Sequence, residues 1–198
     1  MNIVFDIGNV LLRWDPRFLY RKIFADADRM EWFFAHVCGS DWNMEQDRGR
    51  SFAEAVREAT LRHPDHAEAI AAYDERWHET LPHAIDGSVA ILESLAARGT
   101  ALYAITNWNG EKFRETRGRF GFLGHFRDIV VSGDERLVKP DPAIYRVLLD
   151  RNGLVAGDSL FIDDSAANAA GAEAVGMRAH HFRSPEHLAD ALRRAGLL

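Results

Sequence analysis

The sequence predicts an α/β fold: a Rossmann-like parallel sheet covered by helices on both faces, interrupted after its first strand by an all-helical cap. Three observations lead there. Short apolar or β-branched runs recur along the chain, each bounded by turn or polar residues. Helix-period segments of ten or more residues separate the later runs, the alternation expected of a parallel sheet. Residues 15 to about 81 carry helix signals but no credible strand.

The strand segments are "NIVF" (2–5), "ALYAI" (101–105), "DIVVS" (128–132), "LFI" (160–162) and "MRAHHF" (177–182). Between the later ones, Val89, Leu92 and Leu95 share a helical face that ends at Gly99. "DPAIYRVLLDRNG" offers Asp141 as N-cap, Pro142 at the first helical position and Gly153 as the stop, and "SPEHLADALRRAG" repeats that grammar with Ser184, Pro185 and Gly196. The interruption reads as four helices. Asp15 and Pro16 start one; Met30, Phe33, Phe34 and Val37 give a second apolar face; Ser51 with Glu54 forms a capping box; Ile70, Tyr73 and Trp77 make a further stripe. "DWNMEQDRG" (41–49) reads as a loop in which Trp42, Glu45, Asp47 and Arg48 either read a ligand's hydroxyls or form a solvated link. The expected division is a core of residues 1–14 and 82–198 and a cap of residues 15–81.

Composition bounds the function. A chain of 198 residues that is 47% hydrophobic can bury its own core. A net charge of -6 with scattered basic residues speaks against nucleic acid as a partner. Cys38 is the single cysteine, which excludes an internal disulfide framework and fits a reducing compartment. The N-terminus lacks a signal pattern, and no apolar run approaches the ~18 residues of a membrane span, so a soluble, cytoplasmic protein is expected. Only Lys22, Lys112 and Lys139 are lysines among many arginines.

Parallel sheets bind ligands at the carboxyl ends of their strands. There the sequence puts Asp6, Gly8 and Asn9 after the first strand, Thr106, Asn107 and Trp108 after the second, and Asp163, Asp164 and Ser165 after the fourth; Lys139 lies in the connection after the third. Three carboxylates at one rim repel one another, and Lys139 with a hard cation such as Mg²⁺ would resolve that. An ion, an ammonium, a hydroxyl and helix-opening N–H groups suit a phosphoryl group, and Asp6 is the natural nucleophile toward it. One of Asp163 and Asp164 is expected to cap the helix beginning near Ala166 while the other meets the metal. Trp108 reads equally as substrate-facing or as a cover for the sheet edge. His180 and His181 fall on one strand with opposite directions, which argues against a two-histidine metal site.

The stretches "FDIGNVL", "AITNW", "LVKPDPAIY" and "FIDDSAANAAGAEAVGM" resemble, in order, the four motifs of the haloacid dehalogenase-like hydrolases. Within that superfamily the likeness is to small bacterial phosphatases whose first motif reads Asp-x-Gly-Asn-Val, sugar-1-phosphate phosphatases among them. The resemblance implies Asp6 as nucleophile and metal ligand, with the Gly8 carbonyl as a second ligand. It implies Thr106 and Asn107 on the phosphate, Lys139 beside the nucleophile, and Asp164 on Mg²⁺ with Asp163 next to it. The chain departs from the pattern at Gly8, where most such phosphatases carry a second aspartate that moves protons, a role worth ~10² to 10⁴ in rate. Three outcomes follow: a phosphatase of small phosphate esters with good leaving groups, a substitute acid from the cap with Asp15 in reserve, or a non-catalytic phosphate-ester-binding protein. A metal-independent 2-haloacid dehalogenase is the rival from another reaction class. Trp32, Phe33, Phe34 and Trp42 make the cap aromatic, which leaves both a monomer and a homodimer open.

Overall fold

The computed structural model describes residues 1–198. The chain opens with β1 (Asn2–Phe5) and then runs through α1 (Arg17–Tyr20), α2 (Ala27–His36), α3 (Ser40–Asp47), α4 (Phe52–Arg62) and α5 (Ala67–Glu75). It continues through α6 (Asp86–Ala97), β2 (Leu102–Thr106), α7 (Gly110–Arg117), β3 (Asp128–Val131), α8 (Ser132–Glu135) and α9 (Pro142–Asn152). β4 (Ser159–Asp163), α10 (Ala166–Ala174), β5 (Arg178–His181) and α11 (Pro185–Arg194) complete it. The sheet has the order β3-β2-β1-β4-β5, and every pairing is parallel.

Period-two alternation sorts the strand residues onto two faces. Ile3, Phe5, Leu102, Ala104 and Ile162 join Leu92 and Leu95 of α6 and Leu188 and Leu192 of α11 in one core. Val4, Tyr103, Ile105, Val130 and Phe161 join Ile144, Tyr145 and Leu148 of α9 in the other. Each fully buried Leu, Ile or Phe stabilises by ~1.5–3 kcal/mol. The helix boundaries follow the expected caps: Ser51, Asp141 and Ser184 accept from Glu54 N, Ala143 N and His187 N, while Gly99, Gly153 and Gly196 take positive φ at helix ends.

Two expectations are corrected between β1 and α6. The segment holds five α-helices, not four, because residues 41–49 form most of α3 where a loop was expected. Its buried face is polar, carrying Trp42, Asn43, Gln46 and Asp47, so no apolar period announces it. Asn43, Gln46 and Asp47 find partners within or just beyond the helix: Asn43 Nδ2 donates to Asp47 Oδ2 at 3.1 Å, and Arg50 Nε donates to Gln46 Oε1 at 2.7 Å. Trp77 lies in a 3₁₀ turn beyond the end of α5.

The aromatics of this segment pack largely on one another, with ring centroids 5.0 Å apart for Tyr20–Phe33 and for Trp42–Tyr73, and 5.4 Å for Phe52–Trp77. Trp32 alone of the four singled out is exposed, at 46%. The chain enters and leaves the segment through one short antiparallel pairing: Arg13 N donates to His83 O at 3.1 Å and Ile85 N to Leu11 O at 2.8 Å. No helix is long and apolar enough to cross a membrane.

Candidate active site

Strand β1 stands between β2 and β4, and the chain builds outward to β3 on one side before crossing back to β4 on the other. The carboxyl end of β1 is therefore where the connections diverge and a crevice opens. Phe5 is in register with Ala104 and Ile162, so Asp6 leaves the sheet level with Ile105 and Asp163, and Thr106 ends β2 one residue further on. After Asp6 the chain turns sharply: Asn9 adopts φ 53°, a conformation asparagine tolerates better than most residues, and its Oδ1 accepts from Trp14 N at 3.1 Å.

Asp6 is buried, and its two oxygens differ. Oδ1 accepts from Ile7 N at 2.7 Å and lies 2.9 Å from Lys139 Nζ, while Oδ2 takes no protein donor. Lys139 Nζ also lies 2.7 Å from Asp163 Oδ2. Burial works against the ammonium, but Asp6 and Asp163 outweigh it and hold the Lys139 pKa above its ordinary value. Burial raises the Asp6 pKa, and the neighbouring Asp163 and Asp164 charges add to that against the pull of Lys139. A cation binding here relieves both effects.

Asp163 and Asp164 diverge sharply. Asp163 is fully buried and spends its oxygens inside the protein, accepting from Ser165 N at 2.8 Å, from Asn168 Nδ2 at 3.0 and 3.2 Å, and from Lys139. Asp164 is exposed on the cavity wall. Neither aspartate caps α10, contrary to expectation. Ser165 does so, because its hydroxyl stands at the N-cap position and accepts from Asn168 N. Asp6, Asp163 and Asp164 present oxygens within 4.8 Å of one another. Since Asp163 is committed, Asp6 and Asp164 are the acids available to a hard cation, and three carboxylates against one ammonium suit Mg²⁺.

Asp6, Gly8, Thr106, Asn107, Trp108, Lys139 and Asp164 all line one cavity of about 290 Å³, with Asp163 beneath it. A wider cleft of about 920 Å³ adjoins it and shares Asn9, Trp14, Ser40, Asn43 and Asp164. Asp6 and Lys139 line only the inner cavity. Asn107 turns its side chain to the Lys139 main chain, accepting from Lys139 N at 2.8 Å and donating to Lys139 O at 3.1 Å. Trp108 both lines the cavity and packs edge-on against Phe113, 5.5 Å between centroids. Of the polar residues singled out between 41 and 49, only Asp47 reaches the cavity; Glu45 and Arg48 pair with each other at the surface, 2.6 Å apart. Asp15 accepts from Arg17 N at 2.9 Å at the start of α1 and lines the outer cleft, not the inner cavity.

Sequence reading missed Asn168, Trp14 and Trp77. Asn168 reaches back from the first turn of α10 to Asp163, and Gly171 on that helix lets it come close, because a Cβ there would sit 2.7 Å from Pro140 O. Its spacing of five residues from Asp163 was the available signal. Trp14 and Trp77 meet at the cavity only through folding. In these two and in Trp108 the indole Nε1 is buried and engages no protein acceptor.

The chain matches the family model described as Haloacid dehalogenase-like hydrolase over residues 40–181, a span that begins after Asp6. Over 133 residues it is 30% identical to phosphoserine phosphatase from Thermus thermophilus, covering 67% of this chain and 53% of that protein. The chain spans about half or less of the length of the curated relatives it matches first. The magnesium complex of a HAD family enzyme from Bacteroides thetaiotaomicron superposes with a TM-score of 0.74 at 20% identity, covering 97% of this chain and 98% of the other. A 2-haloacid dehalogenase from Pseudomonas syringae superposes with a TM-score of 0.65 at 20% identity, covering 98% and 100%. These two superpositions carry the fold, while the family model covers well over half of the residues. The chain is thus a member of the haloacid dehalogenase-like hydrolases.

Proposed function

We propose that the protein is a Mg²⁺-dependent phosphatase of a small phosphorylated metabolite, working through an aspartyl-phosphate on Asp6, with residues 15–81 acting as a cap over a core of residues 1–14 and 82–198. The observation that carries this reading is the asymmetry of Asp6. One oxygen is pinned by Ile7 N–H and Lys139, and the other is left without a protein donor in a cavity it shares with Asp164. A carboxylate held so is oriented toward an incoming electrophile before the electrophile arrives.

Asp6, Asp164 and the Gly8 carbonyl would hold the metal, which supplies positive charge to the phosphoryl oxygens when bound. The free Asp6 oxygen attacks phosphorus and the ester P–O bond breaks. The Lys139 ammonium offsets the charge that builds on the transferring group, and the Thr106 hydroxyl orients it. Water then hydrolyses the aspartyl-phosphate, releasing inorganic phosphate and restoring Asp6. The cavity of about 290 Å³ fits a small ester.

The relative from Thermus thermophilus, a phosphoserine phosphatase, supports the reaction class. The test is phosphate release from a panel of phosphate monoesters with and without Mg²⁺, beside chloride release from 2-chloropropionate. Metal-dependent phosphate release that vanishes in Asp6→Asn is the expected result. Chloride release without metal overturns the reading in favour of carbon attack, and tight ester binding without any release overturns it in favour of a binding protein.

A further inference from the structure

A phosphatase built on Asp6 lacks a proton donor at position 8, and the cavity holds one other carboxyl that neither pairs with Lys139 nor borders the metal-ligand pair. Resting on the phosphatase reading, we propose that Asp47, from the C-terminal end of α3, is the general acid and base of the reaction.

Three observations carry this. Asp47 lines the same inner cavity as Asp6 and Lys139, and it reaches that cavity from α3 and not from the strand ends. It is 7% exposed, so its carboxyl is screened from bulk water while still facing the cavity. Although it belongs to the insertion, its main chain is fastened to the core: Ser132 Oγ donates to Asp47 O at 2.7 Å, and Asn109 Nδ2 donates to Gln46 O at 3.2 Å and to Arg50 O at 3.1 Å. Gly49, at φ 98°, lets the backbones meet, since a Cβ there would stand 2.7 Å from Gly133 O. The carboxyl therefore keeps its position relative to Asp6, as a proton donor must.

Its protonation suits the task. Burial pushes the Asp47 pKa up to about 7, against an Asn109 main-chain hydrogen bond and the Lys139 charge. Near neutral pH the carboxyl is therefore divided between a donating and an accepting form. In the first step the Asp6 oxygen bonds to phosphorus, the P–O ester bond breaks with its electron pair on the leaving oxygen, and the Asp47 proton passes to that oxygen to give the alcohol. In the second step the Asp47 carboxylate takes a proton from water as the water oxygen bonds to phosphorus. The Asp6–phosphorus bond breaks, leaving inorganic phosphate, the Asp6 carboxylate and protonated Asp47.

The experiment compares Asp47→Asn with the unaltered protein, with Mg²⁺ present, on p-nitrophenyl phosphate, whose leaving group departs unprotonated, and on an alkyl phosphate from the panel. In kcat/KM, which reports only the step that breaks the ester bond, the variant should lose ~10²–10⁴-fold on the alkyl ester and less than ~10-fold on the aryl ester. Asparagine keeps the oxygen to which Asn43 donates, and inhibition by inorganic phosphate checks that the site remains assembled. Equal losses of kcat/KM on both esters with phosphate inhibition unchanged, or no loss on either, overturn the assignment.

The unaltered protein gives a second reading that needs no variant. The groups facing Asp47 are Lys139 from the connection after β3, Tyr73 from α5 and Asp6 across the cavity. Their effects on phosphoryl transfer are common to both esters and cancel in the ratio of alkyl to aryl kcat/KM. That ratio should fall as pH rises through 7, and a ratio independent of pH overturns the assignment. Absence of phosphate release from every ester by the unaltered protein would instead overturn the phosphatase reading itself.

Discussion

Asn107 grips one residue twice: its Oδ1 accepts from Lys139 N at 2.8 Å and its Nδ2 donates to Lys139 O at 3.1 Å. This ties the end of β2 to the connection after β3 and fixes where the Lys139 ammonium emerges. Asn107→Ala removes both bonds and leaves the Lys139 N–H without its partner. The expected cost is ~1–3 kcal/mol of stability, read as a lower urea midpoint. Turnover should fall through kcat, because the ammonium is no longer held against Asp6.

Lys139→Met is the harsher change. It removes the single cation from between Asp6 and Asp163, leaving two buried carboxylates facing each other. Stripping one partner from a buried ion pair costs ~3–5 kcal/mol. Thermal unfolding should show a large loss in metal-free buffer, and phosphate release should disappear. Mg²⁺ should restore part of the lost stability but none of the activity.

Asp163 and Asp164 should separate cleanly in a magnesium titration. Mg²⁺ at about 100 times its dissociation constant should stabilise the unaltered protein by ~2.7 kcal/mol, and chelation should reverse this. Asp164→Asn should abolish that response while leaving metal-free stability within ~0.5 kcal/mol, since the residue is exposed. Asp163→Asn should do the reverse in kind, lowering metal-free stability because Lys139, Asn168 and Ser165 N all depend on its oxygens. A loss of the magnesium response in both variants with no loss of metal-free stability would contradict the division of labour.

The sheet was legible because each strand is a short apolar run feeding a helix with ordinary caps, and the rim was legible because Asp6, Thr106 and Asp163 sit where β1, β2 and β4 end. Position along a strand carries over to position in space. What stayed hidden depends on helices meeting late. The α3 segment buries Asn43, Gln46 and Asp47 on one face, so its pattern looks like a loop, and its place against Ser132 and Asn109 is a tertiary fact with no local signature. Asp164 and Asp163 are adjacent in sequence and equal in type; only the depth of β4 makes one committed and the other free.

Asp47 also links the site to stability. Its pKa is raised from the ordinary 3.8 to about 7, chiefly by burial, so the folded state holds the proton more tightly than the unfolded chain. That contribution is fully present below pH 3.8 and is lost as pH rises through 7. Asp47→Asn cannot lose it. The urea midpoint of the variant should therefore gain on that of the unaltered protein between pH 4 and pH 8, by at most ~4 kcal/mol in stability. A constant difference across that range would show that folding does not raise the Asp47 pKa.

Gly8 offers the converse experiment. It lines the inner cavity, its φ lies outside the left-handed region, and a Cβ built on it meets nothing within 4 Å, so a side chain can be added without displacing a neighbour. Gly8→Asp puts a carboxyl two residues after the nucleophile, and the backbone carbonyl at that position is retained. In the Asp47→Asn background this second change should raise kcat/KM of the alkyl ester at least ~10-fold while leaving that of p-nitrophenyl phosphate nearly unaffected, since only the poorer leaving group needs the proton. If both esters respond alike, the added carboxyl is acting on metal or phosphate binding, and proton transfer at position 8 is not what the chain lacks.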